Sequence, residues 1–364
     1  MNVTGLSWMT FRLPLRVPFR TANGTMTHRE GLLLRLRTAS GIVGLGEASP
    51  HPAAGPGAAR ELGDVLARVG PRFIGADVEC LPEAELPAPL ACAFDMAGLD
   101  LLANERDISV AALLSDRPRS HVAVNATIAV ERDDEAADEA RAARQAGYTC
   151  VKLKAGIAGT VEEECLRIAA VRRALGPDVL LRIDANGAWS VEQAMATIQA
   201  LEEFDLEFVE QPVAAGDLEG MRRVRQAVRT PIAADESITS LGAARRVLEL
   251  EAAQILVVKP MVVGGLRPAK EIADVAHEAG VATVVTTTID AGVGTAAALH
   301  LAAALPEDGP ACGLATGALL AGDIVTKPLS VRESRMTLPS GAGLGVELDA
   351  TKLEQYGGVE RTLP

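Results

Sequence analysis

The chain has 364 residues, of which 48% are hydrophobic and 23% are charged. This length suits one large barrel domain with a smaller domain, and the composition is typical of a globular protein. Lysine and arginine number 35 against 48 aspartates and glutamates, which gives a net charge of −13. This negative charge argues against nucleic acids and anionic membranes as partners. Only 3% of residues are aromatic, which is too few for an obvious base-stacking surface.

The five cysteines form no CxxC pair, and the amino terminus shows no apolar signal region. Scattered thiols in odd number are typical of a reducing compartment, so we predict a cytoplasmic protein without a disulfide framework. The most apolar long stretch, residues 281–305, contains Asp290, His300 and two glycines. It is predicted to be a strand, a loop and a helix, and the oligomeric state stays open.

Residues 1–117 are predicted to form a small α+β domain. Apolar runs at 11–17 and 31–37 predict strands, and the periodicity of residues 90–105 predicts a helix. The sequence Gly44–Leu45–Gly46 is similar to the start of a dinucleotide-binding loop, but Ser49 stands where that fingerprint requires glycine. A dinucleotide site is therefore not expected.

From residue 118 to 327, apolar strands alternate with helices, which predicts a parallel (β/α) barrel of the TIM type. The predicted strands are 122–128, 150–154, 179–184, 206–210, 232–235, 254–259 and 281–286, with a weaker eighth at 311–317. The predicted helices are 131–147, 160–175, 190–203, 217–228, 241–249, 265–279 and 291–304. Residues 328–364 are interrupted by proline and glycine, and we expect them to pack back and complete the capping domain.

Five successive barrel strands end in a charged residue. These residues are Lys154, Asp184, Glu210, Asp235 and Lys259, at intervals of 24 to 30 residues. Barrels of this type carry their active sites at the carboxyl ends of the strands. A charge at a buried strand end must be paired or coordinated, although any one of them could simply mark where a strand leaves the core. Three carboxylates without Cys or His predict a hard divalent cation, Mg²⁺ before Mn²⁺.

The lysines suggest proton transfer. Lys152 and Lys154 are two residues apart and share one face of their strand. A lysine near another cation in a partly dry site has a lowered pKa and can act as a base. Lys154 is the expected base, with Lys259 across the barrel mouth. A cation between them suits removal of a proton next to a carboxylate through an enediolate. Asn186 is either an auxiliary group of this site or a turn residue.

These segments resemble the muconate-lactonizing-enzyme subgroup of the enolase superfamily. The motifs that carry the resemblance are KLK at 152–154, DAN at 184–186, EQP at 210–212, DES at 235–237 and the segment 259–265. The resemblance implies that Asp184, Glu210 and Asp235 bind Mg²⁺. It also implies that Lys154 and Lys259 flank a small carboxylate substrate.

Within the subgroup, residues 122–128 and 313–323 resemble o-succinylbenzoate synthases of menaquinone or phylloquinone biosynthesis. The resemblance implies a Mg²⁺-dependent hydro-lyase that converts 2-succinyl-6-hydroxy-2,4-cyclohexadiene-1-carboxylate to o-succinylbenzoate. Arg20, in a capping loop, would contact the succinyl carboxylate or else be a solvent-exposed side chain.

Other functions stay open at this point. The same residues suit an N-succinylamino acid racemase, another epimerase or a cycloisomerase of the subgroup. A non-catalytic barrel would leave the two lysines without a purpose. A phosphate-binding barrel is conceivable because Gly264–Gly265 could open a helix, although phosphate sites usually follow strands seven and eight.

Overall fold

The computed structural model describes residues 1–21, 24–81, 86–157, 160–306 and 309–363, and the side chains of residues 19–25 lie outside this description. Within these ranges no helix combines the length and the apolar character that a membrane span requires. All five cysteines are free thiols.

The amino-terminal part is an antiparallel sheet that packs against helices. Its elements are β1 (Val3–Thr21), β2 (Gly24–Thr38), β3 (Val43–Ala48), α1 (Ala58–Val69), α2 (Ala88–Glu105) and α3 (Val110–Leu114). Successive side chains of a strand point to opposite faces. Leu32, Leu34 and Leu36 of β2 therefore pack with the helices α1 and α2, whereas Leu33 joins the core shared with the rest of the chain.

Two glycines in β3 let α2 approach the sheet closely. A Cβ atom at Gly44 would lie 2.2 Å from the carbonyl oxygen of Ala97, and one at Gly46 would lie 1.9 Å from that of Ala93. Any side chain at these positions would displace the helix. The Gly44–Leu45–Gly46 sequence thus serves helix packing, in line with the prediction that it is no dinucleotide loop.

Strands and helices alternate in the central part of the chain. These elements are β4 (His121–Ala123), β5 (Ala126–Ile128), α4 (Asp133–Gln145), β6 (Cys150–Lys154), α5 (Val161–Leu175), β7 (Leu180–Asp184), α6 (Val191–Leu201), β8 (Leu206–Glu210), α7 (Leu218–Ala227), β9 (Ile232–Ala234), α8 (Leu241–Glu249), β10 (Ile255–Val258), α9 (Pro260–Val263), α10 (Leu266–Glu278), β11 (Ala282–Val285) and α11 (Gly292–Ala304). Strands β5 to β11 form one parallel sheet in chain order. Bridges from Thr286 to Gly313 and from Val124 to Cys312 join its two edges. The predicted (β/α) barrel with an α+β cap is confirmed.

The carboxyl-terminal part contacts both the cap and the barrel. Its elements are β12 (Val331–Arg332), β13 (Arg335–Thr337), α12 (Ala350–Tyr356) and β14 (Arg361–Leu363). Strand β13 pairs with β4, and β14 pairs with β1. The domain boundaries at residues 117 and 327 stay a prediction.

The predicted strands at 11–17 and 31–37 are parts of the longer β1 and β2. Two predicted barrel strands differ in detail. The segment 122–128 is divided into β4 and β5, because the amides of Val124 and Asn125 donate to carbonyls of two different segments, those of Ser334 and Cys312. One continuous ladder is therefore interrupted at this point. The weak eighth strand is reduced to bridges at residues 312 and 313, followed by a short 3₁₀ helix at Ala315–Leu319.

Two carboxylates of the cap reach the first turns of barrel helices. Asp95 Oδ2 accepts from the first two amides of α10 at 2.6 and 3.0 Å. Glu47 accepts from two amides at the start of α11, both at 2.8 Å. Helix amino termini favour negative charge, so these contacts hold the cap over the carboxyl ends of the barrel strands.

Candidate active site

The five charged residues predicted from the spacing stand at the same end of the barrel sheet. Lys154, Asp184 and Glu210 are the last residues of β6, β7 and β8 and are adjacent in register. Asp235 and Lys259 directly follow β9 and β10. Parallel strands place their carboxyl ends side by side, so residues that are one strand–helix unit apart in the sequence are neighbours around the rim of the barrel.

Three of these residues form a buried carboxylate triad. Asp184, Glu210 and Asp235 each offer an oxygen, and these oxygens all lie within 4.8 Å of one another. Burial and the neighbouring Asp184 raise the pKa of Glu210. The accumulated negative charge therefore needs compensation by a cation. Three carboxylate oxygens are the donors that Mg²⁺ or Mn²⁺ prefers, so the residues present fit such an ion.

Lys152 lies against this triad. Its Nζ donates to Asp184 Oδ2 at 3.0 Å and to Glu210 Oε1 at 2.9 Å. Burial opposes the charged form, but Asp184 and Glu210 raise the pKa of Lys152 above its ordinary value. Burial also opposes ionisation of Asp184, yet Lys152 and Lys154 hold the pKa of that carboxyl below its ordinary value. Lys152 is thus a fixed positive charge beside two carboxylates.

The other two lysines lie on either side of the triad. Lys154 Nζ donates to Asp184 Oδ2 at 2.6 Å and to Asn186 Oδ1 at 2.9 Å. Lys259 Nζ donates to both carboxylate oxygens of Asp235. Burial opposes the charge on Lys259, but Asp235 raises its pKa above the ordinary value. Each lysine therefore has an acidic partner at the rim.

Asn186 combines both interpretations made from the sequence. Its backbone is left-handed, with a φ of 46°, as a turn residue requires. Its side chain accepts from Lys154, and its Nδ2 donates to Glu236 Oε1 at 2.8 Å. The second carboxylate oxygen of Glu236 is buried without a hydrogen-bond partner. Asn186 thus connects one lysine to a further acidic group.

A cavity of about 350 Å³ opens above these side chains. On the barrel side it is lined by polar groups, namely Thr127, Lys152, Lys154, Asn186, Asp235, Glu236, Lys259, Thr286, Thr287, Thr288 and Thr316. From the cap, His51 is the polar side chain among the described lining residues. Its Nδ1 accepts from the amide of Ala53 at 3.2 Å, which leaves Nε2 to carry the proton of the neutral ring. Arg20 lies in β1 and not in a loop, because β1 and β2 continue pairing as far as Thr21 and Gly24. Its predicted contact with the substrate falls on a side chain outside the described ones.

The sequence interpretation did not assign several of these residues. The threonines at 286–288 were visible as a polar interruption of an apolar stretch, which is a usable signal in a barrel strand end. His51 carries no such signal, because its position in the cavity depends on how the cap packs on the barrel. Gln211 follows Glu210 directly, and its Oε1 accepts from the amide of Asp235 at 3.0 Å. It thereby orients one carboxylate of the triad.

The helix start at Gly264–Gly265 does not offer a phosphate site. Its first amides donate to Asp95 Oδ2, and a Cβ atom at Gly265 would lie 2.6 Å from that same oxygen. Gly265 is therefore required by close packing of α10 against the cap. The alternative of a phosphate-binding loop, which the position of this segment already disfavoured, is not supported, because a carboxylate accepts from its amides.

Comparison with known proteins identifies the same family over both parts of the chain. Residues 4–115 match the model of the mandelate racemase / muconate lactonizing enzyme N-terminal domain. Residues 135–352 match the model described as enolase C-terminal domain-like.

Individual relatives carry several different activities. The o-succinylbenzoate synthase of Thermobifida fusca is 38% identical over 88% of this chain and 83% of that protein. The chloromuconate cycloisomerase CbnB of Cupriavidus necator is 30% identical over 98% of this chain and 99% of that protein. The crystal structure of a dipeptide epimerase from Enterococcus faecalis, complexed with Mg and a dipeptide, has a TM-score of 0.89 and 28% identity, with 95% and 99% of the two chains covered. The chain therefore belongs to the enolase superfamily, in its muconate-lactonizing-enzyme subgroup.

Proposed function

We propose that this enzyme is an o-succinylbenzoate synthase of menaquinone or phylloquinone biosynthesis. In this proposal it is a Mg²⁺-dependent, cytoplasmic hydro-lyase that dehydrates 2-succinyl-6-hydroxy-2,4-cyclohexadiene-1-carboxylate. The observation that carries the proposal is that Lys154 and Lys259 line one cavity on either side of a buried carboxylate triad. The identity to the Thermobifida fusca synthase supports the choice of this substrate.

The proposed metal ligands are Asp184, Glu210 and Asp235. When bound there, Mg²⁺, or Mn²⁺ in its place, supplies positive charge for the substrate carboxylate, whose negative charge grows as the α-proton leaves. The epimerase structure complexed with Mg supports this assignment. Lys152 is then an auxiliary residue whose positive charge offsets part of the negative charge of the triad.

Lys154 is the proposed base. As the neutral amine it takes the α-proton, and the contacts of its Nζ with Asp184 and Asn186 hold the ammonium group that results. The α-carbon to hydrogen bond breaks first. The carbon to hydroxyl bond then breaks while Lys154 returns the proton, so that water leaves and the ring becomes aromatic.

Lys259 is the proposed electrostatic partner. It is positioned after β10, four strands from Lys154, and Asp235 favours its charged form. As an ammonium group it faces the substrate anion or the ring from the other side. His51 presents Nε2 from the cap, which suits an acceptor oxygen of the succinyl chain. The contact of Arg20 with that chain stays a prediction.

The test compares two reactions of the purified enzyme. We expect it to convert the cyclohexadiene carboxylate to o-succinylbenzoate, followed by absorbance and by NMR of the product. With N-succinylamino acids in D₂O, α-deuterium incorporation is expected to be slow or absent. Replacing Lys154 with Ala should lower kcat by at least about 10²–10⁴-fold, the usual contribution of a general base.

A racemase is the second candidate, because a second lysine on the opposite side is the arrangement that reprotonation from the other face requires. Rapid deuterium exchange of N-succinylamino acids, without turnover of the cyclohexadiene carboxylate, would make the racemase assignment correct. A Lys154→Ala enzyme with near-normal kcat would reject both.

A further inference from the structure

Two charged side chains on α5 are buried although they lie outside the active-site cavity. Glu164 and Arg167 each have an exposed fraction of 2%, and they form an ion pair one helical turn apart. A buried ion pair seldom adds stability over apolar residues of similar volume, because both charges lose their hydration. Its presence here calls for a role other than packing.

Arg167 binds the carboxyl ends of two neighbouring barrel strands. One guanidinium nitrogen donates to the carbonyl oxygen of Lys154 at 2.6 Å, and another donates to that of Val130 at 3.1 Å. Lys154 is the last residue of β6, and Val130 lies two residues beyond β5. A planar guanidinium group holds two acceptors in fixed directions, so Arg167 sets the spacing of these strand ends.

Glu164 holds the residues that follow. Its Oε2 accepts from the amide of Gly156 at 2.9 Å. Gly156 has a φ of 74°, and a Cβ atom there would lie 2.7 Å from the side chain of Ala188. The amide of Ala155 donates to the carbonyl oxygen of Asp184 at 2.7 Å. The chain after Lys154 is therefore held between α5 and the turn that follows β7.

We propose that Glu164 and Arg167 are positioning residues that fix the main chain of Lys154 and thereby the place of its Nζ in the cavity. The inference rests on the proposed role of Lys154 as the base. Neither side chain lines the cavity, so both act through Lys154 and its neighbours. A displacement of a reacting group by about 1 Å can cost on the order of 10² in rate, which makes a distant anchor visible in kcat.

The first test replaces both charges together, as Glu164→Met with Arg167→Leu. Removing both partners leaves no charge buried and unpaired, although the carbonyls of Lys154 and Val130 and the amide of Gly156 lose a side-chain partner. We expect kcat to fall by about 10- to 100-fold, with KM changed less than about twofold. The primary deuterium isotope effect on kcat, measured with α-deuterated substrate, should rise, because proton transfer becomes the slower step.

A second variant keeps the test decisive if the double variant does not fold. Arg167→Lys retains a charge beside Glu164, but a single ammonium group on a shorter side chain cannot hold both carbonyls in the same way. We expect a fall in kcat of about tenfold, with the same rise in the isotope effect. Arg172→Lys is the matched control, because Arg172 lies on the same helix and donates to the carbonyls of Phe204, Gly176 and Val179. Its kcat should stay at the wild-type value.

The outcomes separate this inference from the proposed function. If Lys154→Ala is inactive but folded Arg167→Lys has the kcat and the isotope effect of the wild type, the positioning role is overturned while the base assignment stands. If Lys154→Ala retains activity, both fail. If the wild type exchanges α-protons without dehydrating the cyclohexadiene carboxylate, the proposed substrate is wrong, and the exchange rate replaces kcat in the same comparison.

Discussion

The environment of Glu210 favours a bound cation. It is fully enclosed, Asp184 stands next to it, and these two causes raise its pKa. A neutral amide at this position removes a repulsive charge from the triad and also removes a ligand oxygen that can carry full charge. Metal binding and stability should therefore respond to the same substitution in different ways.

We predict that Glu210→Gln weakens metal binding by roughly 100-fold or more, since even partners that only support a ligand contribute about 10–100-fold. Binding of Mn²⁺ followed by electron paramagnetic resonance measures this without reference to activity. Turnover should be lost, while the circular dichroism spectrum and the melting temperature of metal-free protein stay near wild type. Glu203→Gln makes the same chemical change at an exposed position and should leave binding unchanged. Equal Mn²⁺ affinity in both variants would contradict the ligand assignment.

The sequence was sufficient to predict the position of a residue wherever that position follows from the end of a strand. Lys154, Asp184, Glu210, Asp235 and Lys259 stand together because strand ends are periodic in the chain and adjacent in space. Their chemical roles stay predictions. Glu164 and Arg167 could not be singled out, because charged residues one turn apart on a helix look the same in the sequence whether they face water or a barrel.

Among the elements, α11 is buried along its whole length. His300 is enclosed within it and contacts two other segments. Its Nδ1 accepts from the amide of Ala111 at 3.2 Å, and its Nε2 lies 3.1 Å from the carbonyl oxygen of Leu344. These contacts suit a neutral ring that donates through Nε2, and burial lowers the pKa of His300 to about 4.

Because the folded state lowers the pKa of His300, its contribution to stability is present above the ordinary pKa of about 6.5 and is lost as the pH falls towards 4. We predict a loss of up to about 3 kcal/mol in the free energy of unfolding over that range, relative to His300→Gln. Asp100 opposes this trend in both proteins, because burial raises its pKa to about 6. The difference between the two unfolding curves in urea therefore isolates the histidine.

The control for this experiment is His277→Gln, which removes a histidine from the exposed face of α10. A difference between wild type and His300→Gln that is independent of pH between 4 and 6.5 would contradict the prediction.

Elements such as α11 and β6 were predictable from apolar runs of sufficient length. The division of residues 122–128 was not, because strands of two or three residues carry no usable period and depend on partners distant in sequence.

For the whole molecule, the contacts of Asp95 and Glu47 with helix starts join cap and barrel. Asp95 also forms an ion pair with Arg267, with Nη1 and Oδ1 2.9 Å apart. Its carboxylate is completely buried, so its hydrogen bonds are all made within the protein. The alternation of strands and helices in the sequence predicted the barrel and distinguished it from the cap. The contacts between cap and barrel could not be predicted, because an acidic residue within an apolar helix does not reveal its partner.

We predict that Asp95→Asn lowers the free energy of unfolding by about 2 kcal/mol, because it weakens charge-assisted hydrogen bonds to a helix start. Asp274→Asn is the control, since Asp274 forms an exposed ion pair with Lys270 on the same helix. Such a pair is worth at most about 1 kcal/mol. Urea unfolding of both variants measures the difference. Equal losses of unfolding free energy in the two variants would show that the contact between the cap and α10 contributes no more than an exposed ion pair.

The pairing of β14 with β1 has a consequence for synthesis of the protein. Leu6, Ser7 and Trp8 of β1 pair with Leu363, Thr362 and Arg361 of β14, so an interval of 353 to 357 residues separates the partners in the chain. At the usual 5–20 residues per second, a ribosome takes roughly 20 to 70 s to bridge that interval. During this time the outer edge of β1 has free main-chain donors and acceptors, which is the condition under which strands join neighbouring chains. The sheet of the cap is thus completed only after the whole barrel has been synthesised, and crowded polysomes would expose that edge to other nascent copies.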